Sequence, residues 1–218
     1  MIVINASVAG HAADGETFQA RRPQVDGVGV LLPESWWVID LRDEKTRRRS
    51  VRGLVERQMG HDDSRAALRA DVRKTMGRVA DDAARAGGRM MAVSLMQAGG
   101  IPVPATLTVY RVPGAALGGA EAEELAHLLR ASEQPGDQIV IAHGPLGPVL
   151  RRSSQRQGDA SVGGSDVTLV IADYWLDPDD GNGLMQLNFT SPLVELREGL
   201  IDLFDAIVAS VGPGQDES

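Results

Sequence analysis

Three carboxylates within four positions are the first candidates for chemistry in this sequence. Asp177, Asp179 and Asp180 open a segment, residues 177–183, that is otherwise proline, asparagine and glycine. Calcium takes several oxygen ligands from loops of this kind. An EF-hand loop, however, would need a carboxylate or amide where Gly181 stands and an acidic residue where Asn188 stands. Asp, Asn and Gly also supply the backbone conformations of tight turns. We therefore predict a polar hairpin turn, with a calcium site as the alternative, and no cofactor.

A cluster of basic side chains is the second candidate. Seven of the 22 basic residues of the chain fall within sixteen positions: Arg42, Lys45, Arg47, Arg48, Arg49, Arg52 and Arg57. Such a run is typical of a solvated corner between a strand and a helix, or of a surface that meets an acidic protein or an anionic ligand. Aromatic residues do not interleave it after Trp37, so single-stranded nucleic acid would lack a stacking platform.

Trp36 and Trp37 precede this basic run and are adjacent. In a strand, neighbouring side chains point to opposite faces, so at least one of the two rings is expected in the core. The other ring is either buried under a helix or exposed at an interaction surface. We predict a partner-binding surface from this corner and the basic run, with Trp36, Trp37, Arg47, Arg48, Arg49 and Arg52 as its residues.

Catalytic motifs are missing from the sequence. It has no GxSxG elbow, no GxxxxGK[ST] loop, no GxGxxG after a strand and no HExxH pair. The absence of cysteine removes thiol catalysis and zinc–thiolate sites. We predict no catalytic residues. A site assembled in space from scattered polar residues stays open as an alternative, and convergence of His143, Asp173 or Arg151 would favour it.

The charge of the chain is distributed unevenly. Of the formal net charge of −8, the last 61 residues contribute −11, from 12 acidic and one basic residue. An acidic protein is poorly suited to displace counterions from phosphate, so nucleic acid is not expected as a partner. No apolar run approaches the length of a membrane span, and the cysteine-free chain is expected in the cytoplasm. The asymmetry predicts a head-to-tail contact between copies, so a homo-oligomer is possible.

Hydrophobic periodicity predicts more strands than helices. Strands are expected at 28–32, 36–41, 90–96, 105–112, 138–142, 149–155, 167–176 and 184–189, and helices at 50–58, 61–86, 121–131 and from Ser191 onward. Short turns join most neighbouring strands, whereas parallel pairs would need crossovers. The fold class is therefore α+β, with a mainly antiparallel sheet packed between helices. One domain is expected over 1–211, with a poorly defined segment at 1–24, a long loop at 157–166 and a disordered tail at 212–218.

Two segments resemble the Mog1/PsbP-like superfamily. Residues 30–36, VLLPESW, are similar to its apolar–Pro–x–x–Trp opening, and residues 187–192, LNFTSP, with the helix to Ser210 are similar to its closing strand and helix. The chain also resembles actinobacterial proteins of about this size. The resemblance implies a sandwich of sheet and helices and a binding or assembly role, because known members are photosystem accessory proteins, a small-GTPase partner and bacterial lipoproteins.

The resemblance and the missing motifs together predict a function class. We expect a non-enzymatic binding or accessory protein that holds a protein partner on one face of its sheet or at the Trp36/Trp37 corner. The alternative is a small enzyme or a small-ligand-binding domain.

Overall fold

A computed structural model describes residues 20–158 and 167–214 of the chain. Its four α-helices are α1 (Glu44–Met59), α2 (Ala66–Arg85), α3 (Gly119–Ala131) and α4 (Arg197–Ala209). Its longer strands are β5 (Trp36–Asp40), β6 (Gly88–Ser94), β9 (Thr106–Val112), β10 (Gln138–Gly144), β11 (Gly147–Gln157), β12 (Thr168–Leu176) and β13 (Leu184–Ser191). The two-residue strands are β1 (Ala20–Arg21), β2 (Gln24–Val25), β3 (Val28–Gly29), β4 (Leu32–Pro33), β7 (Gln97–Ala98), β8 (Ile101–Pro102) and β14 (Gly212–Pro213).

A seven-stranded antiparallel sheet organises the molecule, with the strand order β10-β11-β12-β13-β9-β6-β5. Short connections explain this order, because β10–β11 and β12–β13 are hairpins and β9 follows β6 through the small β7–β8 arm. The predicted α+β class with a mainly antiparallel sheet packed with helices is confirmed.

One face of the sheet carries the main core and is covered by α4; we call it the α4 face. Its strands alternate cleanly, so that Leu107, Leu187 and Phe189 all point into this core. The ring of Phe204 from α4 stacks on Phe189 with centroids 4.4 Å apart, and Tyr174 meets Phe189 edge-on at 5.6 Å. Aromatic pairs at such distances add to the stabilisation that burial of their area already gives.

Within the described residues, the opposite face is covered only at its two sides. The antiparallel helices α1 and α2 pack on β5 and β6 through Ile39, Leu54 and Met91. Helix α3 packs on β10 and β11 through Ala122, Ala126 and Leu150. Directly paired residues on neighbouring strands share a face of the sheet. Strand pairing connects Met91 through Thr108, Asn188 and Asp173 to Arg152, which is on the same face as Leu150. Both helix groups therefore lie on one face. We call it the divided face.

Helix α1 begins six positions earlier than the predicted start near Ser50. Asp43 is its N-cap, and its carboxylate accepts a hydrogen bond from the backbone N–H of Thr46 at 2.6 Å. The arginines at positions 47–49 are good helix formers. All of the basic run except Arg42 therefore lies on α1, and Arg42 lies at the corner between β5 and α1. The hydrophobic pattern missed this start because the first two turns of α1 carry few apolar residues.

The start of the last helix and the packing of α2 also differ from the pattern in the sequence. Ser191 does not cap the last helix: it ends β13, its hydroxyl donates to Pro104 O and accepts from Leu193 N, and α4 begins after a short 3₁₀ turn. In α2, the apolar residue Leu68 is 56% exposed, because the described contacts of this helix with the sheet come from its second half.

The ends of the predicted domain also changed. Gly212 and Pro213 pair with Val28 and Gly29, so a strand opens the segment expected as a tail. Residues 1–19, most of the loop expected at 157–166 and the last four residues lie outside the described residues. None of the described helices is long and apolar enough to span a membrane.

Candidate functional site

A strip of polar side chains runs along the middle of the divided face, between α1–α2 and α3. It lies on β9, β12 and β13, with one side chain from β11, and we call it the polar strip. Most of its members are half-buried, which means that the helices on either side leave the floor open to contact. The strip consists of Thr106, Thr108, Tyr110, Arg152, Asp173, Trp175, Gln186, Asn188 and Thr190.

Strand register places these side chains in rows. Asp173 lies between Arg152 on one neighbouring strand and Asn188 on the other, and Thr108 follows Asn188. A second row contains Trp175, Gln186 and Tyr110, and a third contains Ile171, Thr190 and Thr106. Neighbouring strands lie about 4.8 Å apart and residues rise about 3.3 Å along a strand. The floor made by β12, β13 and β9 is therefore about 10 Å wide and about 13 Å long.

Asp173 is the centre of the hydrogen bonds in the strip. Its side chain is only 6% exposed. The carboxylate accepts from Arg152 Nη2 at 2.8 Å, from Asn188 Nδ2 at 2.8 Å and, more weakly, from Gln186 Nε2 at 3.4 Å. A buried carboxylate is stable when its lone pairs are satisfied and its charge is paired. Asp173 therefore holds side chains from both neighbouring strands, β11 and β13, and its pairing with Arg152 leaves the strip without net charge.

Two aromatic rings flank this centre. The guanidinium carbon of Arg152 lies 5.9 Å from the ring centroid of Trp175, within the range of a cation–π contact. Burial raises the pKa of the Tyr110 hydroxyl, the Asp173 charge raises it further, and a hydrogen bond with Thr108 opposes them. The strip thus keeps Tyr110 neutral and offers hydroxyl and amide groups beside two ring faces.

The sequence-predicted partner-binding residues are divided between the interior and the surface. Trp36 is 1% exposed, lies on the α4 face and donates from Nε1 to the sulfur of Met96 at 3.2 Å. Trp37 packs against Gly53 of α1 and donates to Ser50 O at 3.0 Å. The structure therefore leaves no surface on Trp36 for a partner, and most of Trp37 serves the contact with α1.

The basic run divides in the same way. The side chain of Arg47 is 12% exposed, and it holds Asp81 of α2 at 2.7 Å and Leu41 O at 2.9 Å. This residue joins α1, α2 and the sheet. Lys45, Arg48, Arg49 and Arg52 line an open cavity of about 590 Å³ together with Asp43 and Glu44. Arg42, which precedes α1, pairs with Asp40, and the Arg57 guanidinium lies 5.9 Å from the Trp37 ring centroid.

Part of the acidic third of the chain lies on α4, on the other side of the sheet from α1. Glu198 and Asp202 are on the outer surface of α4, whereas the basic side chains of α1 are on the divided face. In the described part of the chain, no ion pair joins these two surfaces. The acidic side chains of α4 and the basic side chains of α1 are therefore separated by the sheet, and the head-to-tail contact between copies stays a prediction.

The acidic segment 177–183 is a turn between β12 and β13, and its carboxylates have separate partners. Asp177 accepts from Leu117 N and Asp179 N, and Asp180 pairs with the buried Arg111. Burial opposes ionisation of Asp180, but hydrogen bonds from Asn182 N and Arg111 outweigh it and lower its pKa. Among the described residues no group of three or more metal-binding side chains converges.

The three scattered residues named for an assembled site do not converge. Asp173 lies on the divided face, His143 is exposed near the end of β10, and Arg151 points to the α4 face. There Arg151 pairs with Asp205, which also accepts from the Tyr174 hydroxyl at 2.7 Å. Of the three, only Asp173 belongs to the polar strip.

Sequence reasoning missed most of the strip, although a signal for it exists. Residues 186, 188 and 190 are polar in a strand whose alternate residues are Met185, Leu187 and Phe189. Alternation of this kind indicates one buried and one open face. The same pattern at Thr106, Thr108 and Tyr110 would have identified the open face of the neighbouring strand.

A second concave feature lies at the start of α4, on the other side of the molecule. It is an open cavity of about 690 Å³ with largely apolar walls, which include Met96, Val103, Leu196, Leu200 and Leu203. Arg197 beside it is held by Gln138 and Ser153, each at 3.1 Å. The polar part of its lining consists of Gln155, Glu195, Arg197 and Glu198.

Comparison with known proteins adds no relative to this description: no family model, no curated protein and no solved structure matches the chain.

Proposed function

We propose that this chain is a non-enzymatic binding or accessory protein that holds a protein partner on the polar strip of its central sheet. The observation that carries the proposal is an open floor of polar and aromatic side chains between two helical walls, organised around the buried carboxylate of Asp173. The Mog1/PsbP-like assignment and a cytoplasmic location belong to the same proposal. Their support is the motif resemblance and the absence of cysteine.

The dimensions and charge of the strip favour a protein segment as the occupant. A floor about 10 Å wide matches the diameter of a helix or the width of an extended strand with its side chains. The Arg152–Asp173 pair cancels its own charge, so the surface favours a partner segment that offers hydrogen bonds and apolar contacts. Tyr, Trp and Arg, the residue types of Tyr110, Trp175 and Arg152 in the strip, are enriched among residues that dominate interface energies.

A substitution at the centre of the floor tests the proposal. Gln186 is half-buried on the middle strand and makes only the weak hydrogen bond to Asp173. Gln186→Arg places a longer, charged side chain in the strip. Co-precipitation from a lysate of the native cells with the wild type and with this variant, checked for folding by thermal unfolding, measures the loss. We expect at least a thirtyfold loss of affinity, since hot-spot changes cost about 2 kcal/mol or more.

The matched control is Leu68→Arg, which introduces the same side chain at an exposed position of α2. It should retain the partner. If the folded Gln186→Arg protein retains the same partner as the wild type, the polar strip is not the binding surface.

One observation favours small-ligand binding as the second candidate. The Nε atom of Arg152 is buried and has no hydrogen-bond partner within the described structure. An unpaired buried donor costs free energy, and a ligand oxygen bound in the strip would satisfy it. Native mass spectrometry of protein purified from its own cells tests this candidate: a retained small molecule that is lost in Gln186→Arg would support it over a protein partner.

A further inference from the structure

In the described part of the chain, the outer edge of β10 has no strand beside it. In the strand order of the sheet, β10 is terminal, and β11 is its only neighbour among the described strands. Proteins guard such edges with charged side chains, proline, bulges or short length. Residues 138–144, QIVIAHG, contain no proline and no Asp, Glu, Lys or Arg, and all seven pair in regular register with β11. None of these protective devices is present.

Register shows which backbone groups face outward. In an antiparallel pair, hydrogen-bonded and non-hydrogen-bonded residue pairs alternate. His143 is opposite Pro148, which has no N–H, so this is a non-hydrogen-bonded pair. The pairs Ile141–Leu150 and Ile139–Arg152 follow at steps of two and belong to the same class. The N–H and C=O groups of 139, 141 and 143 therefore point away from β11.

We propose that β10 pairs with β10 of a second copy, antiparallel about a twofold axis at Ile141. This interaction is independent of the proposed function, because it uses the edge of the sheet and not the polar strip. With Ile141 opposite itself, Ile139 lies opposite His143 of the second copy. Each of the three outward-facing residues supplies one donor and one acceptor, so six hydrogen bonds form.

The strand is complementary to itself in three respects. The outward residues recur at steps of two around Ile141, so every outward donor meets an acceptor. No charged side chain lies in residues 138–144, so no like charges are opposed in the new pairs. Val140 and Ala142 would face each other, and both are small and apolar. An isologous contact of this type closes after two copies.

Helix α3 adds apolar surface near the same edge. It packs on β10 and β11 from the divided face. Leu128 of this helix is 60% exposed. A strand pair alone buries little area, and stable interfaces need about 800 Å² from each partner. We therefore expect a dimer of moderate affinity, formed at micromolar concentrations and continuous with the seven-stranded sheet.

Light scattering after size-exclusion chromatography, over a range of protein concentrations, tests the dimer. The full chain should reach an apparent mass of twice its 23.2 kDa. His143→Pro removes one outward N–H on an edge strand, where proline is tolerated, and His143→Ala removes the same side chain but keeps the N–H. We expect the proline variant to remain monomeric at concentrations where the alanine variant dimerises.

The test is decisive in each outcome. A wild type that stays monomeric at all concentrations overturns the proposal, as does a folded His143→Pro protein that dimerises like His143→Ala. The hydrogen-bonded dimer should persist at high salt, because no ion pair holds β10 to its copy. A dimer that dissociates as salt is raised would instead indicate the head-to-tail contact between the basic and acidic surfaces, and would also overturn the β10 pairing.

The register can be tested separately, because the natural chain has no cysteine. Cα atoms in a hydrogen-bonded antiparallel pair lie about 5.5 Å apart, within the range that a disulfide spans. Ile141→Cys should therefore form a disulfide-linked dimer on mild oxidation. His143→Cys lies opposite Ile139 and should not. Equal cross-linking of both variants would contradict the twofold axis at Ile141.

Discussion

Asp173 on β12 and Asn188 on β13 are directly opposite each other, and the Asn188 amide donates to the Asp173 carboxylate at 2.8 Å. This bond joins two of the three strands that form the floor of the proposed site. Arg152 completes the arrangement from β11. A stabilising network at the centre of a sheet would ordinarily lie under a helix, but here it lies in the gap between α1–α2 and α3.

Removal of the Asp173 carboxylate should strongly destabilise the protein. Asp173→Ala leaves the Arg152 guanidinium without its partner, and loss of one member of a buried ion pair costs about 3 kcal/mol. Asn188→Ala removes one charge-assisted hydrogen bond and should lower the free energy of unfolding by about 2 kcal/mol. Urea unfolding measures both values. If both substitutions lower the free energy of unfolding by less than about 0.5 kcal/mol, the hydrogen bonds of Asp173 do not stabilise the pairing of these strands.

Arg47 and Arg48 are neighbours in sequence, but their substitution is expected to change the stability of the fold by different amounts. Arg47→Ala breaks the contacts with Asp81 and Leu41 O and should lower the free energy of unfolding by about 1.5 kcal/mol. Arg48 is exposed and pairs only with Glu44 on the same helix, so Arg48→Ala should change stability by less than about 0.5 kcal/mol. Thermal unfolding of the two variants compares them; a larger effect at Arg48 would contradict the assignment.

The two tyrosines of the chain should resist ionisation in the folded state. Burial raises the pKa of both Tyr110 and Tyr174, and the nearby Asp173 and Asp205 charges add to the effect. Because the folded pKa exceeds the unfolded value near 10, the folded state loses stability as pH rises above that value. Tyrosinate absorbance should therefore appear together with alkaline unfolding, monitored by circular dichroism. Tyrosinate absorbance that appears near pH 10, while the chain is still folded, would contradict this expectation.

Asp40 should contribute to stability against acid. A hydrogen bond from the Arg42 side chain lowers the pKa of the Asp40 carboxyl, and this outweighs the effect of its partial burial. The contribution is present above the unfolded value near 3.9 and is lost as pH falls through the lower folded value. Asp40→Asn should therefore reduce the melting temperature at neutral pH and converge with the wild type in strong acid. A constant difference at all pH values would exclude this linkage.

The alternating strands made the fold class predictable from the sequence. Leu107 and Val109 recur at period two in β9, as Met185 and Leu187 do in β13. The short turns between strands required antiparallel pairs. The order of the strands was not predictable, because the pairing of β13 with β9 connects elements more than 70 residues apart. Such a pairing depends on the shape of the assembled core rather than on local pattern.

The functional site was less predictable than the fold. Unusual local composition directed attention to the tryptophan pair and the arginine run, but Trp36 and Arg47 are occupied by interior contacts. The polar strip has ordinary composition, and its residues come from four strands that meet only in three dimensions. Asp173 was named as a candidate for an assembled site. Its partners Arg152 and Asn188 are set by the register of the strands, which only the structure gives.

Site-specific photo-crosslinking tests the polar strip most directly. A photoreactive benzoylphenylalanine replaces Gln186 on the floor of the strip or, as a control, Leu68 on the exposed surface of α2. Both proteins are irradiated in the native cells, and cross-linked products are separated by mass. The account predicts one discrete adduct from position 186 that is absent from position 68. The same adduct from both positions, or an adduct from position 68 alone, would contradict the assignment of the polar strip as the binding surface.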